Sequence, residues 1–259
     1  MQPNIEFIES VAHRAGILLK EGFGKEHQVD FKHAKDLVTE MDKKAEDLIL
    51  GEIRLKFPDH SILSEESGVL DGHADKLWIV DPLDGTINYA HGLPIFCVSI
   101  AYREKGSLQL AAIYDPMQNE MFSAEKGRGA FLSGNPMKVT GVSEMHLALL
   151  GTSFPAANSD MLARNSRIFL HMSGQAQTLR RMGSAALDLA YVASGRLDGY
   201  WQLENHPWDF AAGALLIMEA GGVVTNMDSD PDFFHPPYSL IGANETLAAL
   251  MAAEIRSAG

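Results

Sequence analysis

Leu77-Trp78-Ile79-Val80-Asp81-Pro82-Leu83-Asp84-Gly85-Thr86-Ile87-Asn88-Tyr89 is the stretch from which the rest of the chain can be read. Four apolar residues, Leu77 to Val80, have the composition of a buried strand, and they run into two acids three positions apart. Pro82 and Gly85 disfavour regular continuation, so the chain is expected to turn with both carboxylates at the strand's end. Two hard oxygen donors on a tight turn suit a divalent cation such as Mg2+, which is held by carboxylates and keeps positions for water and phosphate. Gly85 and Thr86 then open a short helix whose free N–H groups would face an anion. The same residues also make an ordinary turn, because Asp, Pro and Gly are common turn formers. The G-T-x-N continuation and the preceding apolar run favour the metal over the plain turn.

Composition narrows the surroundings of this stretch. The chain has 259 residues, enough to bury a large core as one domain or two intimate halves. A formal net charge of −13 opposes unassisted binding to nucleic acid or an anionic membrane, and no run of four Lys or Arg relieves it. Cys97 is the single cysteine and lies in an apolar run, so neither an intrachain disulfide nor a cysteine-rich zinc site can form. The ten histidines show no paired ligand spacing, and no histidine metal site is expected. Glu6 and Glu9 interrupt the apolar pattern at the N-terminus, which is unlike a signal peptide, and no run of 18 apolar residues occurs. These features point to a soluble, cytoplasmic protein.

Upstream of the strand, residues 4–22 carry apolar side chains at helical spacing. A polar loop or hairpin at 31–35 precedes Asp36-Leu37-Val38-Thr39-Glu40-Met41-Asp42, and a second amphipathic helix starts at Thr39. Asp42, three residues after Thr39, suits a capping carboxylate favoured by the helix dipole. Ser61 to Ser64 is a short strand leading into Glu65 and Glu66, which by themselves read as a solvated strand end. Gly72 to Lys76 reads as an exposed loop. Downstream, residues 95–103, 107–115 and 119–123 are expected to form antiparallel hairpin strands. The first half closes near residue 142, and the second begins near His146.

In the second half, a strand at 147–151 and a helix over 159–173 precede Arg180-Arg181-Met182-Gly183-Ser184-Ala185. That turn before a helix either admits a ligand close to the backbone or makes a tight packing corner. Trp208-Asp209-Phe210-Ala211-Ala212-Gly213 opens another helix, with Asp209 in its dipole-favoured first turn. A strand at 223–225 and a closing helix at 244–255 complete the chain.

D-P-L-D-G-T-I-N resembles the signature of the inositol monophosphatase family of Mg2+-dependent, lithium-sensitive phosphatases. D-L-V-T-x-x-D, S-E-E-S, the K-G-x-G-A-F stretch at 126–131, G-R-x-D-G at 195–199 and W-D-x-A-A-G with E-A-G-G resemble further family elements in the expected order. The resemblance covers nearly the whole chain. It implies an α/β (α+β) fold, a layered αβαβα sandwich of the inositol monophosphatase and fructose-1,6-bisphosphatase type, as a single catalytic domain over 1–259 and usually a homodimer. It implies two to three Mg2+ per site on Glu65, Asp81, the Leu83 carbonyl, Asp84 and Asp209. Asp42 and Thr86 would orient and deprotonate the attacking water, and Glu66 would position an activated water. Gly85 and Thr86 would hold the phosphate, while Gly183, Ser184, Ala185 and Gln202 would meet the substrate's hydroxyls. An upstream loop lysine maps to Lys32 or Lys35. Gln202 stands where the family pattern has an acid, which weakens charge-assisted acceptance of a hydroxyl. Ile87 replaces the usual Thr. The implied activity is hydrolysis of inositol monophosphate or a similar small sugar or polyol phosphate. Histidinol phosphate and 3′-phosphonucleotides are alternative monoesters, and a regulatory role beside a bacterial transcription partner is the rival from another class.

Overall fold

Asn4 caps the first helix, α1 (Ile5–Gly22), its Oδ1 accepting from Phe7 N at 3.1 Å. The computed structural model describes residues 2–25, 29–33, 36–154 and 159–258, with side chains at 29–33, 36–37 and 159–160 left aside. A hairpin, β1 (Val29–His33) and β2 (Asp36–Thr39), leads into α2 (Glu40–Lys56). Strands β3 (His60–Ser64), β4 (Gly68–Leu70) and β5 (His73–Asp84) follow, then the one-turn helix α3 (Thr86–Ala90). Next come β6 (Cys97–Glu104), β7 (Ser107–Asp115), β8 (Glu120–Glu125), β9 (Gly129–Leu132) and β10 (Asn135–Pro136). The second half comprises β11 (Leu149–Thr152), α4 (Ser159–Gln175), β12 (Thr178–Arg180), α5 (Ala185–Ala193) and β13 (Gly199–Gln202). It continues with α6 (Pro207–Glu219), β14 (Val223–Thr225), β15 (Leu240–Ala243) and α7 (Glu245–Ala258).

Among the described residues, β10-β9-β8-β7-β6-β5-β3-β4 form one sheet and β12-β11-β13-β15-β14 another. The pairings in the larger sheet are antiparallel except for β3 with β5. Helices α1 and α2 cover one face through Ile8, Leu19, Ile49, Ile53, Trp78 and Tyr114. Helices α5 and α6 lie against the other face and also meet the smaller sheet, burying Leu189, Phe210, Leu216 and Tyr200. Helices α4 and α7 close the far side over Trp201, Ile241 and Met251. The result is the αβαβα layering implied by the resemblance. Gly213 makes the close approach of α5 and α6 possible, since a Cβ there would lie 2.4 Å from Leu189 Cβ.

Two local expectations change. Residues Gly72 to Lys76 are not simply a loop, because β5 starts at His73 and pairs Lys76 with Glu104. The strand's first residues are polar because they are exposed, and polarity concealed the pairing. Nor does β5 stop at Asp81. Asp81 pairs with Ser99 and Asp84 with Cys97, so Pro82 and Leu83 form a bulge inside the strand, and the turn falls at Gly85. The bulge accommodates the N–H that Pro82 lacks.

Candidate active site

The bulged end of β5 places Asp81 and Asp84 in the interior rather than on a surface turn: both are buried. Asp81 Oδ1 accepts from Leu83 N at 3.0 Å, which fixes the bulge from within. Gly85 then turns the chain with φ of 96°, and a Cβ there would lie 2.8 Å from the Ile95 carbonyl oxygen. Only glycine meets both conditions without strain. Thr86 starts α3, and its Oγ1 lies 2.9 Å from Asp42 Oδ1 and 3.0 Å from the Leu83 carbonyl oxygen.

Asp42 reaches Thr86 because α2 begins with a capping box. Its Oδ2 accepts from Thr39 N at 2.8 Å and Thr39 Oγ1 at 2.6 Å, while Met41 N donates to Thr39 Oγ1 at 3.1 Å. Capping uses one carboxylate oxygen and Thr86 the other, so the cap and the contact with Thr86 coexist in one rotamer. Burial pushes the Asp42 carboxyl up from the usual range, against the hydrogen bonds from Thr39 and Thr86.

Glu65 and Glu66 occupy the half-buried turn between β3 and β4. Because β3 runs parallel to β5 with Ser64 opposite Val80, that turn arrives beside Asp81. Asp84 is held from the second half of the chain. Its Oδ2 accepts from Ser184 Oγ at 2.5 Å and Ala186 N at 2.7 Å, and its Oδ1 from Ala185 N at 3.3 Å. The Gly183-Ser184-Ala185 turn is therefore first a docking point for Asp84, with Ser184 as the N-cap of α5. Asn88 secures the same junction, donating to the Ile95 and Met182 carbonyls at 2.8 Å each. Asp209 sits in the first turn of α6, where its Oδ2 accepts from His206 N at 2.9 Å.

The charges on these acids are mutually unfavourable. Burial raises the Asp81 carboxyl well above the usual range, and the negative fields of Glu65, Asp84 and Asp209 raise it further. Glu65 also shares a side-chain hydrogen bond with Asp81. Burial raises Asp84 as well, opposed by its hydrogen bonds from Ser184, Ala186 and Ala185. Among the described residues no three His, Cys, Asp or Glu side chains are already drawn into a ligating cage. The residues nevertheless fit a hard cation by chemistry: an all-oxygen donor set whose repulsion a divalent ion would neutralise.

Other expected contacts fare differently. Gln202 is buried at the end of β13, its Oε1 hydrogen-bonded to the Tyr200 hydroxyl and its Nε2 donating to the Glu204 carbonyl at 2.9 Å. The amide is thus already engaged at both ends within the protein. The side chains of Lys32 and Lys35 lie outside the described residues. Sequence reading missed Asn88 as the link between α3 and the Met182–Gly183 turn. It also missed Asp188, a fully buried acid of α5, and the approach of the buried Cys97 thiol to 3.8 Å from Asp84 Oδ2. Asn88 was within the quoted stretch, and a polar side chain between Ile87 and Tyr89 was the available signal. Asp188 gave one too, as a lone acid in Ala185–Ala193.

The profile of the inositol monophosphatase family matches residues 1–259. The chain belongs to that family. A Nus factor SuhB from Pseudomonas aeruginosa (strain PAO1) is 42% identical over 258 residues, covering 97% of this chain and 95% of that protein. The crystal structure of the extragenic suppressor protein suhB from Bartonella henselae superposes with a TM-score of 0.93 at 35% identity, covering 97% of each chain. An inositol monophosphatase from Anabaena (Nostoc) sp. PCC 7120 superposes with a TM-score of 0.87 at 38% identity, covering 98% of this chain and 96% of its own. Among the described residues, no helix of this family member is long and apolar enough to cross a membrane.

Proposed function

We propose that the protein is a Mg2+-dependent phosphatase that hydrolyses inositol monophosphate or a similar small sugar or polyol phosphate by attack of water. The observation that carries this reading is the Asp42–Thr86 contact at 2.9 Å beside a buried group of mutually repelling acids. Such acids have no structural reason to be kept together, whereas a cation site requires them. Two or three Mg2+ held by Glu65, Asp81, the Leu83 carbonyl, Asp84 and Asp209 would acidify water, neutralise phosphoryl oxygens and stabilise the departing oxygen.

The chain's own residues supply the rest. Asp42, with its carboxyl pushed up by burial, is the base of a two-residue relay: Thr86 presents its hydroxyl oxygen to the water and passes a proton toward Asp42. Glu66 positions a second water. Gly85 and Thr86 N–H groups receive the phosphate, with no covalent enzyme intermediate. Gly183, Ser184 and Ala185 face the leaving group, and Gln202 offers it at most the hydrogen-bonding capacity left by Tyr200 and Glu204. A weaker preference for myo-inositol 1-phosphate follows, relative to an enzyme with a carboxylate there. The protein is proposed to act as a cytoplasmic homodimer.

Phosphate release from myo-inositol 1-phosphate, histidinol phosphate and a 3′-phosphonucleotide, with and without Mg2+, tests the reading. Mg2+-dependent turnover abolished in Asp84→Asn supports it. No turnover on any monoester by a protein that binds Mg2+ refutes it. The similarity to a protein named a Nus factor favours a second reading, binding to a transcription partner. Partner binding that survives Asp84→Asn would assign the two roles to separate surfaces.

A further inference from the structure

Glu46 lies one helical turn beyond Asp42 on α2, on the same face, and is only 5% exposed. Both of its carboxylate oxygens are filled by one short segment of the chain. Ser64 Oγ donates to Oε1 at 2.5 Å, Ser67 N donates to Oε1 at 3.0 Å, and Ser67 Oγ donates to Oε2 at 2.6 Å. These donors bracket Glu65 and Glu66 on either side. Hydrogen bonds to an ionised carboxylate are the shorter and stronger class, and three of them confine a three-residue turn.

We propose that Glu46 is a positioning residue that holds the Glu65–Glu66 turn in place for a divalent cation while touching neither cation nor substrate. The inference rests on the proposed cation site and adds its origin of rigidity. Helix α2 then fixes two parts of the site in one register: Asp42 holds Thr86, and Glu46 holds the turn that bears Glu65. A turn ordered in advance removes a conformational cost from cation binding, so its loss weakens affinity without altering any ligand. A role confined to stabilising the β3–β4 hairpin would instead lower unfolding stability and leave the folded protein's cation affinity unchanged.

The test uses the full chain with Mn2+ as a paramagnetic probe, titrated directly against wild type, Glu46→Gln and Ser67→Ala, with unfolding followed in parallel. Glutamine keeps an acceptor for Ser64 and Ser67 N but loses the charge; Ser67→Ala removes one donor at the exposed residue of the turn and serves if Glu46→Gln does not fold. The expected result is Mn2+ binding weakened about tenfold or more in each folded variant, the range typical of groups that orient metal ligands. Affinities within about twofold of wild type for both, well below that range, overturn the proposal. A wild-type chain that binds no Mn2+ overturns it together with the cation site. A wild type that binds Mn2+ but hydrolyses no monoester refutes the phosphatase reading alone and leaves the role of Glu46 to be decided by the variants.

Discussion

Ser184 is where the two halves of the chain meet at one carboxylate, and truncating it to alanine measures that junction. Its Oγ donates to Asp84 Oδ2 at 2.5 Å and accepts from Leu187 N at 3.4 Å as the cap of α5. A buried hydrogen bond to a charged group contributes about 1.5–3 kcal/mol, and an N-cap about 1 kcal/mol, the long cap bond placing it no higher. Ser184→Ala is therefore expected to destabilise by about 3 kcal/mol, a large part of the roughly 5–15 kcal/mol that holds a domain folded. For a chain of this size that lowers the melting temperature by about 6–10 °C. Urea denaturation of the metal-free protein, with unchanged slope, is the assay. Ser184→Gly retains most of the capping geometry and separates the two contributions, being expected to cost less than alanine. A loss below about 1 kcal/mol would refute the reasoning, since neither contribution would then be present. So would an equal cost of Ser184→Ala with Asp or Asn at position 84, because the bond to the carboxylate would carry no charge dependence.

Asp42→Asn and Thr86→Val should each lower kcat about 10²–10⁴-fold with KM little changed, and the double variant should lose scarcely more than either; additive losses in single-turnover rates would break the pair apart. Burial raises Asp81 and Asp84 in the folded state, and the neighbouring acids raise Asp81 further. A folded-state value above the unfolded one gives stability that is complete below the unfolded value near 3.8 and is lost as pH rises through the folded values. The metal-free protein should thus lose this contribution toward neutral pH, and Mg2+ should raise the melting temperature more at mildly alkaline than at acidic pH while releasing protons. A Mg2+ effect independent of pH would contradict the burial of these charges. Gly85→Ala, with φ of 96° and a Cβ 2.8 Å from the Ile95 oxygen, should destabilise by about 2 kcal/mol or more; a loss below about 1 kcal/mol would mean the backbone is not left-handed there.

Local chemistry was legible wherever it depended on neighbours in sequence. The Thr39–Asp42 capping box, the short helix after Gly85 and the helix with Asp209 in its first turn follow from spacing and composition, and each forms as expected. The family resemblance supplied the layering, which periodicity alone does not specify. What escaped was set by pairing at a distance. The strand start at His73 depends on partners in β3 and β6, so its exposed polar residues read as a loop. The inward turn of Gln202 depends on Tyr200 two residues earlier and on the Glu204 carbonyl, a same-face contact that residue type does not reveal. Glu46 carries no signal in its own neighbourhood, because its serine donors lie 18 and 21 residues away.

The bond between Ser184 and Asp84 closes a separation of 100 residues, and Asn88 reaches Met182 across 94. Contacts so distant in sequence are late to reward the closure of the intervening loop and place the fold among the slower ones. A nascent or partly refolded chain can complete the larger sheet while Asp84 still lacks the helix that receives it. Tight cation binding should then arise only at the last step of assembly, which makes it a reporter of finished molecules: in a refolding experiment, helical signal would recover first and the response to Mg2+ afterwards.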